Sequence, residues 1–125
     1  MLECAKIIAF VPTKDATKAR AFYEGVLGLR FVSDDNFALV FDANGNMIRI
    51  AKGAKFQPQQ FTILGWEVRE IEKLVSGLEA KGVKFEKYGL PGQDERGIWT
   101  APGGAAKVAW FKDPDGNVLS VSEHP

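Results

Sequence analysis

Apolar residues fall along the chain in two patterns, short continuous runs and helical spacings, and their order repeats once. Residues 5–12 (Ala-Lys-Ile-Ile-Ala-Phe-Val-Pro) read as a buried strand ended by Pro12 and the Thr13-Lys14-Asp15 stretch. Asp15 is placed to cap a helix on which Ala16, Ala19, Phe22, Tyr23, Val26 and Leu27 recur every three or four residues. Gly28 suits a left-handed stop. Leu29–Val32, Phe37–Phe41 and Met47–Ala51 then read as three strands, the last two joined by an Asn44-Gly45 hairpin turn.

Residues 61–68 (Phe-Thr-Ile-Leu-Gly-Trp-Glu-Val) restart the series with a second buried strand. Ile71, Leu74, Val75 and Leu78 predict a second helix that Gly82 ends, and Val83–Lys87 a strand after it. A Gly- and Pro-rich loop follows around Gly89–Glu95, then strands over 97–101, 106–112 and 117–122 with an Asp115-Gly116-Asn117 turn. Two stretches match between the halves. Asp42 through Ile50 aligns with Asp113 through Val121, and Gly28-Leu29-Arg30-Phe31 with Gly82-Val83-Lys84-Phe85. The longer segment between Tyr88 and Gly104 absorbs the difference in displacement. The chain is therefore α+β: two βαβββ modules in tandem, 5–52 and 61–123, joined by a linker at 53–60 and forming a single domain.

Composition narrows the chemistry. The 125 residues carry 16 Lys+Arg and 16 Asp+Glu, a net charge of zero, which argues against nucleic acid as a partner because phosphate binding needs clustered cations. Apolar residues make up 46%, yet no run approaches the roughly 18 that span a bilayer, and the first residues lack the pattern of a secretion signal. A cytoplasmic protein with no membrane partner is expected. A single Cys excludes an internal disulfide, and the single His, His124, is the penultimate residue, a poor place for a catalytic or metal-binding imidazole. Cys4 has no activating His nearby and is not expected to act as a nucleophile.

Three motifs resemble the vicinal oxygen chelate superfamily, the group of glyoxalase I, extradiol dioxygenases, and fosfomycin- and bleomycin-resistance proteins. They are Phe10-Val11-Pro12-Thr13-Lys14-Asp15, Ala21 through Leu29 (Ala-Phe-Tyr-Glu-Gly-Val-Leu-Gly-Leu), and Phe111-Lys112-Asp113-Pro114-Asp115-Gly116-Asn117. The resemblance implies curved sheets forming a cleft, and in the family's enzymes a metal in that cleft held from the first and last strand of each module. Carried onto this chain, the four positions are Ile8, Arg49, Ile63 and Ser120. Two aliphatic side chains, a fixed cation and a hydroxyl are not the imidazoles, carboxylates and thiolates that hold a divalent metal. No metal and no other cofactor is expected. Asp113 and Asp115 are read as turn residues rather than a catalytic pair.

Strand alternation adds neighbours to these positions. Phe10, Phe61, Gly65, Glu67, Met47, Ala51, Val118, Ser122 and Trp110 share their face, while Trp66 packs in the core. The candidate ligand-binding residues are Phe10, Arg49, Ile63, Glu67, Trp99, Trp110 and Ser120, with Trp99 a lid from the longer insert. Arg49 either pins an anion or pairs with Glu67 or a backbone carbonyl. Glu67 is the one candidate for moving a proton, and Tyr23 is expected to pack on its helix with an exposed or bridging hydroxyl. The resulting reading is a metal-free protein that holds a flat or amphipathic, anionic small molecule, as the drug-sequestering branch of the family does, in a homodimer. The alternatives are a metal-independent lyase or isomerase, or a glyoxalase- or dioxygenase-like enzyme with ligands from the 93–95 loop.

Overall fold

The computed structural model describes residues 1–125. They form two compact units, Met1–Gln57 and Pro58–Pro125, with the boundary inside the segment read as the linker. The first unit contains β1 (Ile8–Pro12), helix α1 (Ala16–Arg20) continuing as a π-helical turn over Ala21–Val26, β2 (Arg30–Asp34), β3 (Ala38–Ala43) and β4 (Asn46–Ala51). The second contains β5 (Thr62–Glu67), α2 (Ile71–Ala80), β6 (Trp99–Thr100), a 3-10 turn at Pro102–Gly104, β7 (Lys107–Lys112) and β8 (Val118–Glu123). Each unit folds one four-stranded mixed sheet, in the orders β1-β4-β3-β2 and β5-β8-β7-β6. The parallel pairs are β1 with β4 and β5 with β8.

Local chemistry explains the boundaries. The Lys18 amide donates to Asp15 Oδ1 at 3.1 Å, so Asp15 caps α1 as its position suggests. The π turn closes where the Leu27 amide reaches the Phe22 carbonyl at 2.9 Å, and Gly28 turns the chain away at φ +74. Asn44 and Gly45 both adopt positive φ, the geometry of a two-residue hairpin that matches strand twist. Asp113 is buried and used up by its own turn. Its Oδ1 accepts the Asp115 and Asn117 amides at 2.9 Å each, and its Oδ2 accepts from Asn117 Nδ2 at 3.0 Å.

The repeat is visible in packing as well as order. Phe31 pairs with Phe41 in the first sheet and meets it edge to face at 5.7 Å. Phe85 bridges Phe111 in the second unit and meets it in the same way at 5.5 Å. One detail of the sequence alignment shifts. Asp42 pairs with Met47, whereas Lys112 pairs with Val118, so Lys112 and not Asp113 corresponds to Asp42. The second hairpin is one residue longer because Asp113 lies inside the turn.

Two expectations need correction. Val83–Lys87 does not form a strand: only Phe85 bridges Phe111, with the Glu86 amide on the Trp110 carbonyl at 2.8 Å. The rest of that β7 edge is taken by β6, so the insert competes for the backbone groups a longer strand would use. The first strand begins at Ile8, because Met1–Ile7 have no ladder partner. Tyr23 packs on its helix as expected, fully buried between Phe22 and Phe41, which removes only the exposed alternative for its hydroxyl.

Candidate functional site

On the first sheet, register places Phe10 beside Arg49 and Ile8 beside Met47, with Val40 and Ala51 on the same side of the pleat. The opposite side carries Val11, Leu39, Phe41, Ile48 and Ile50, all buried, and is the unit's core. The open side is apolar yet accessible: Phe10 is 63% exposed, Ile8 45% and Met47 40%. Arg49 is the cation of this face. Its partner is Asp35, whose Oδ2 lies 3.7 Å from the guanidinium, a residue that alternation within strands could not bring forward because it sits in the β2–β3 turn. Asp35 Oδ1 accepts the Phe37 and Ala38 amides at 2.7 and 2.8 Å. Those two bonds, with smaller contributions from Arg49 and Lys52, hold its carboxyl below the usual carboxylate range.

On the second sheet, Gly65 is opposite Ser120, Glu67 opposite Ser122, and Trp110 opposite Ser120 on the other side. The place of Ser120 is built by a glycine. A Cβ at position 65 would stand 2.6 Å from Ser120 Oγ, so only Gly leaves room for that hydroxyl. Ile63 departs from the expected alternation. The register slips between Thr62 and Leu64, which leaves Ile63 in a bulge without a ladder partner. Glu67 is exposed and makes no hydrogen bond or ion pair, so no base–orienter arrangement exists around it. His124 and Ser122 share a 3.0 Å hydrogen bond.

Three aromatic rings run along this sheet face. Trp110 lies 6.2 Å from Trp99 and 5.5 Å from Tyr88. Trp99 is not a free lid: it belongs to β6, pairs with Val108, and donates from Nε1 to the Pro91 carbonyl at 2.9 Å. The insert that carries it is organised by Gln93, which sequence patterning did not single out. Its side chain accepts the Tyr88 amide at 2.8 Å and donates to the Glu86 and Gly97 carbonyls at 3.1 and 2.9 Å. Burial, and secondarily the Glu86 carboxylate, push the Tyr88 hydroxyl above its ordinary value. A hollow of about 570 Å³ adjoins Tyr88, bordered by Gln59, Gln60, Lys112 and Val118. A larger one, about 1020 Å³, opens at the start of α2 among Glu67, Glu70, Glu123 and His124, but no Phe, Tyr or Trp lines it.

A family model described as the glyoxalase/bleomycin resistance protein/dioxygenase superfamily matches residues 6–121. The chain belongs to that superfamily. Solved structures agree on the fold. The glyoxalase-type relatives include a lactoylglutathione lyase from Agrobacterium tumefaciens (20% identity, 96% of this chain and 93% of that one, TM-score 0.74). A fosfomycin resistance protein from Listeria monocytogenes is similar at 16% identity, 95% and 92% coverage and TM-score 0.73. An antibiotic-binding protein from a Streptomyces species is similar at 20%, 100% and 99%, and 0.76. No curated protein matches the chain by sequence.

The superfamily's enzymes imply a metal, and the residues here do not fit one. In each unit the implied first-strand position lies two residues before the register partner of the implied last-strand position: Ile8 against Phe10–Arg49, and Ile63 against Gly65–Ser120. By register, however, Thr62 rather than Ile63 stands in the second unit where Ile8 stands in the first. Ile8 and Ile63 have no donor atom, Arg49 repels a cation, and Ser120 is a neutral hydroxyl. Nowhere are three or more His, Cys, Asp or Glu side chains grouped so that they could hold a metal ion. No helix is long and apolar enough to cross a membrane.

Proposed function

We propose that this member of the superfamily is a small-molecule-binding protein that works without a metal and holds a flat ligand against the aromatic face of its second sheet. The observation that carries the reading is the Trp99–Trp110–Tyr88 run of rings, fixed by the sheet on one side and by Gln93 on the other. Rings already immobilised lose little freedom when a ligand stacks on them, which is how preorganisation adds affinity. The neighbouring hollow falls in the size range of small-molecule pockets. Sequestration needs affinity and no proton transfer, which suits a face with no oriented acid or base. The Streptomyces relative is by its name an antibiotic binder, and the same use is proposed here.

The test has two arms. Protein is incubated with Zn, Ni, Mn and Fe(II), desalted and analysed by elemental mass spectrometry. It is then titrated with flat antibiotics and small aromatic acids, following Trp fluorescence and, for the variants, calorimetry. Saturable binding without stoichiometric metal is expected. Trp110→Ala should weaken it about tenfold, the loss of one stacked ring, and Glu67→Gln should leave it unchanged. One tightly held metal per chain, or a turnover that Glu67→Gln abolishes, would overturn the reading.

A further inference from the structure

Where the family fold would carry a ligand to a cation, this chain carries a cation. We propose that the open face of the first sheet is an anion subsite anchored by Arg49, taking a carboxylate or phenolate attached to an apolar body. The inference rests on the reading of the chain as a metal-free small-molecule binder and names the chemistry that the first sheet recognises.

The state of the guanidinium is the main argument. It is only 28% exposed, yet it makes no hydrogen bond within the chain. Asp35, at 3.7 Å, is beyond hydrogen-bond distance, and its other oxygen is pinned by the Phe37 and Ala38 amides. The carboxylate therefore cannot swing round to form a two-point pair with Arg49. Lys52 does not lack a partner in the same way: it bonds the Asp35 carbonyl at 2.7 Å and pairs with the Asp34 carboxylate. Arg49 is left with its planar fork of donors free, and such a fork matches an oxyanion at two points.

The surroundings supply the second half of the recognition. Arg49 has Phe10 and Val40 as register partners, with Met47 and Ala51 two residues away along its own strand. An inorganic anion would meet the guanidinium but leave the exposed Phe10 and Met47 side chains wet. An apolar body bearing one anionic oxygen uses both, which is the complementarity expected of a small-molecule site.

A matched pair of probes tests this. 2-Naphthoate and its methyl ester share a ring system and differ in the charge. Each is titrated by calorimetry and by 15N-resolved NMR, which follows the Arg49 side-chain Nε–H and the amides of β1 and β4. The acid is expected to move those signals and to bind about tenfold or more tighter than the ester. Arg49→Gln should abolish that preference while the thermal midpoint stays close to wild type, and Arg49→Lys should recover part of it. If the acid keeps its preference in Arg49→Gln, or acid and ester bind equally to wild type, the subsite is refuted while binding of flat molecules on the second sheet still stands. If the ester and other flat neutral compounds also fail to bind, both readings fall.

Discussion

At the scale of single residues, two positions decide how the faces are built. Gly65 is one: the Ser120 hydroxyl occupies the volume a side chain there would need. Gly65→Ala should destabilise the protein by about 1–3 kcal/mol through overpacking. Gly65→Ala combined with Ser120→Ala should recover most of that loss in a denaturant-melt cycle, because the nearest clash is with the hydroxyl that Ser120→Ala removes. Additive losses would mean the strain lies in the backbone. Asp35 is the other. Its lowered carboxyl makes a stabilising contribution that is present above the ordinary carboxylate range and lost as pH falls through the folded-state value. Asp35→Asn keeps an oxygen for the Phe37 and Ala38 amides but drops the charge. Wild type should therefore be the more stable at neutral pH, with the gap in thermal midpoint closing on acidification. The same variant should bind 2-naphthoate more tightly, since the only acid competing for Arg49 has been neutralised. A gap that stays constant from neutral to acidic pH would count against a charge effect.

At the scale of elements, the insert between α2 and β7 is the least regular part and the most dependent on one side chain. Gln93 joins Tyr88, Glu86 and Gly97 through three hydrogen bonds. Gln93→Ala should cost about 1–3 kcal/mol and leave two carbonyls and an amide to find water. More tellingly, it should red-shift Trp fluorescence as Trp99 and Tyr88 loosen, and weaken flat-ligand binding although Gln93 touches no ligand. Unchanged emission would mean that β6 pairing alone positions Trp99. This contrast also explains what the sequence could reveal. Strands β4 and β7 alternate against buried cores, β3 and β8 open on continuous buried runs, and their turns carry Asn-Gly and Asp-Gly signals, so their places were legible. The helix stops at Gly28 and Gly82 were legible for the same local reason. Phe85 was misread because a single bridge and a full strand have the same apolar signature, and the competitor for the β7 edge lies 14 residues later at Trp99. Arg49 could be found as a cation on an apolar strand, but Asp35 could not be assigned to it, because turn conformation rather than periodicity sets where that carboxylate points.

At the scale of the whole molecule, exposed apolar side chains remain that neither proposed ligand site calls on. Ile7 is 75% exposed, Phe37 76% and Phe61 62%. Single apolar residues on a surface are ordinary, and a second copy of the chain is the expected cover where such rings are large. The charge balance offers no obstacle to association: 16 cations and 16 anions leave no net repulsion between copies. A chain meeting a copy of itself through the same residues forms a two-fold dimer, the commonest closed assembly. Light scattering on the eluting peak should thus give the mass of two chains at micromolar concentration. Phe37→Ser and Phe61→Ser each remove a large exposed ring without disturbing a buried contact, so they should shift the equilibrium toward one chain while leaving the thermal midpoint of the monomer little changed. If wild type elutes as one chain up to the highest soluble concentration, the dimer is wrong. If it dimerises and neither Phe variant weakens it, the contact surface lies elsewhere. Should ligand affinity fall together with dimer content on dilution, the binding faces would be complete only in the assembled protein; affinity independent of dilution would assign them to the single chain.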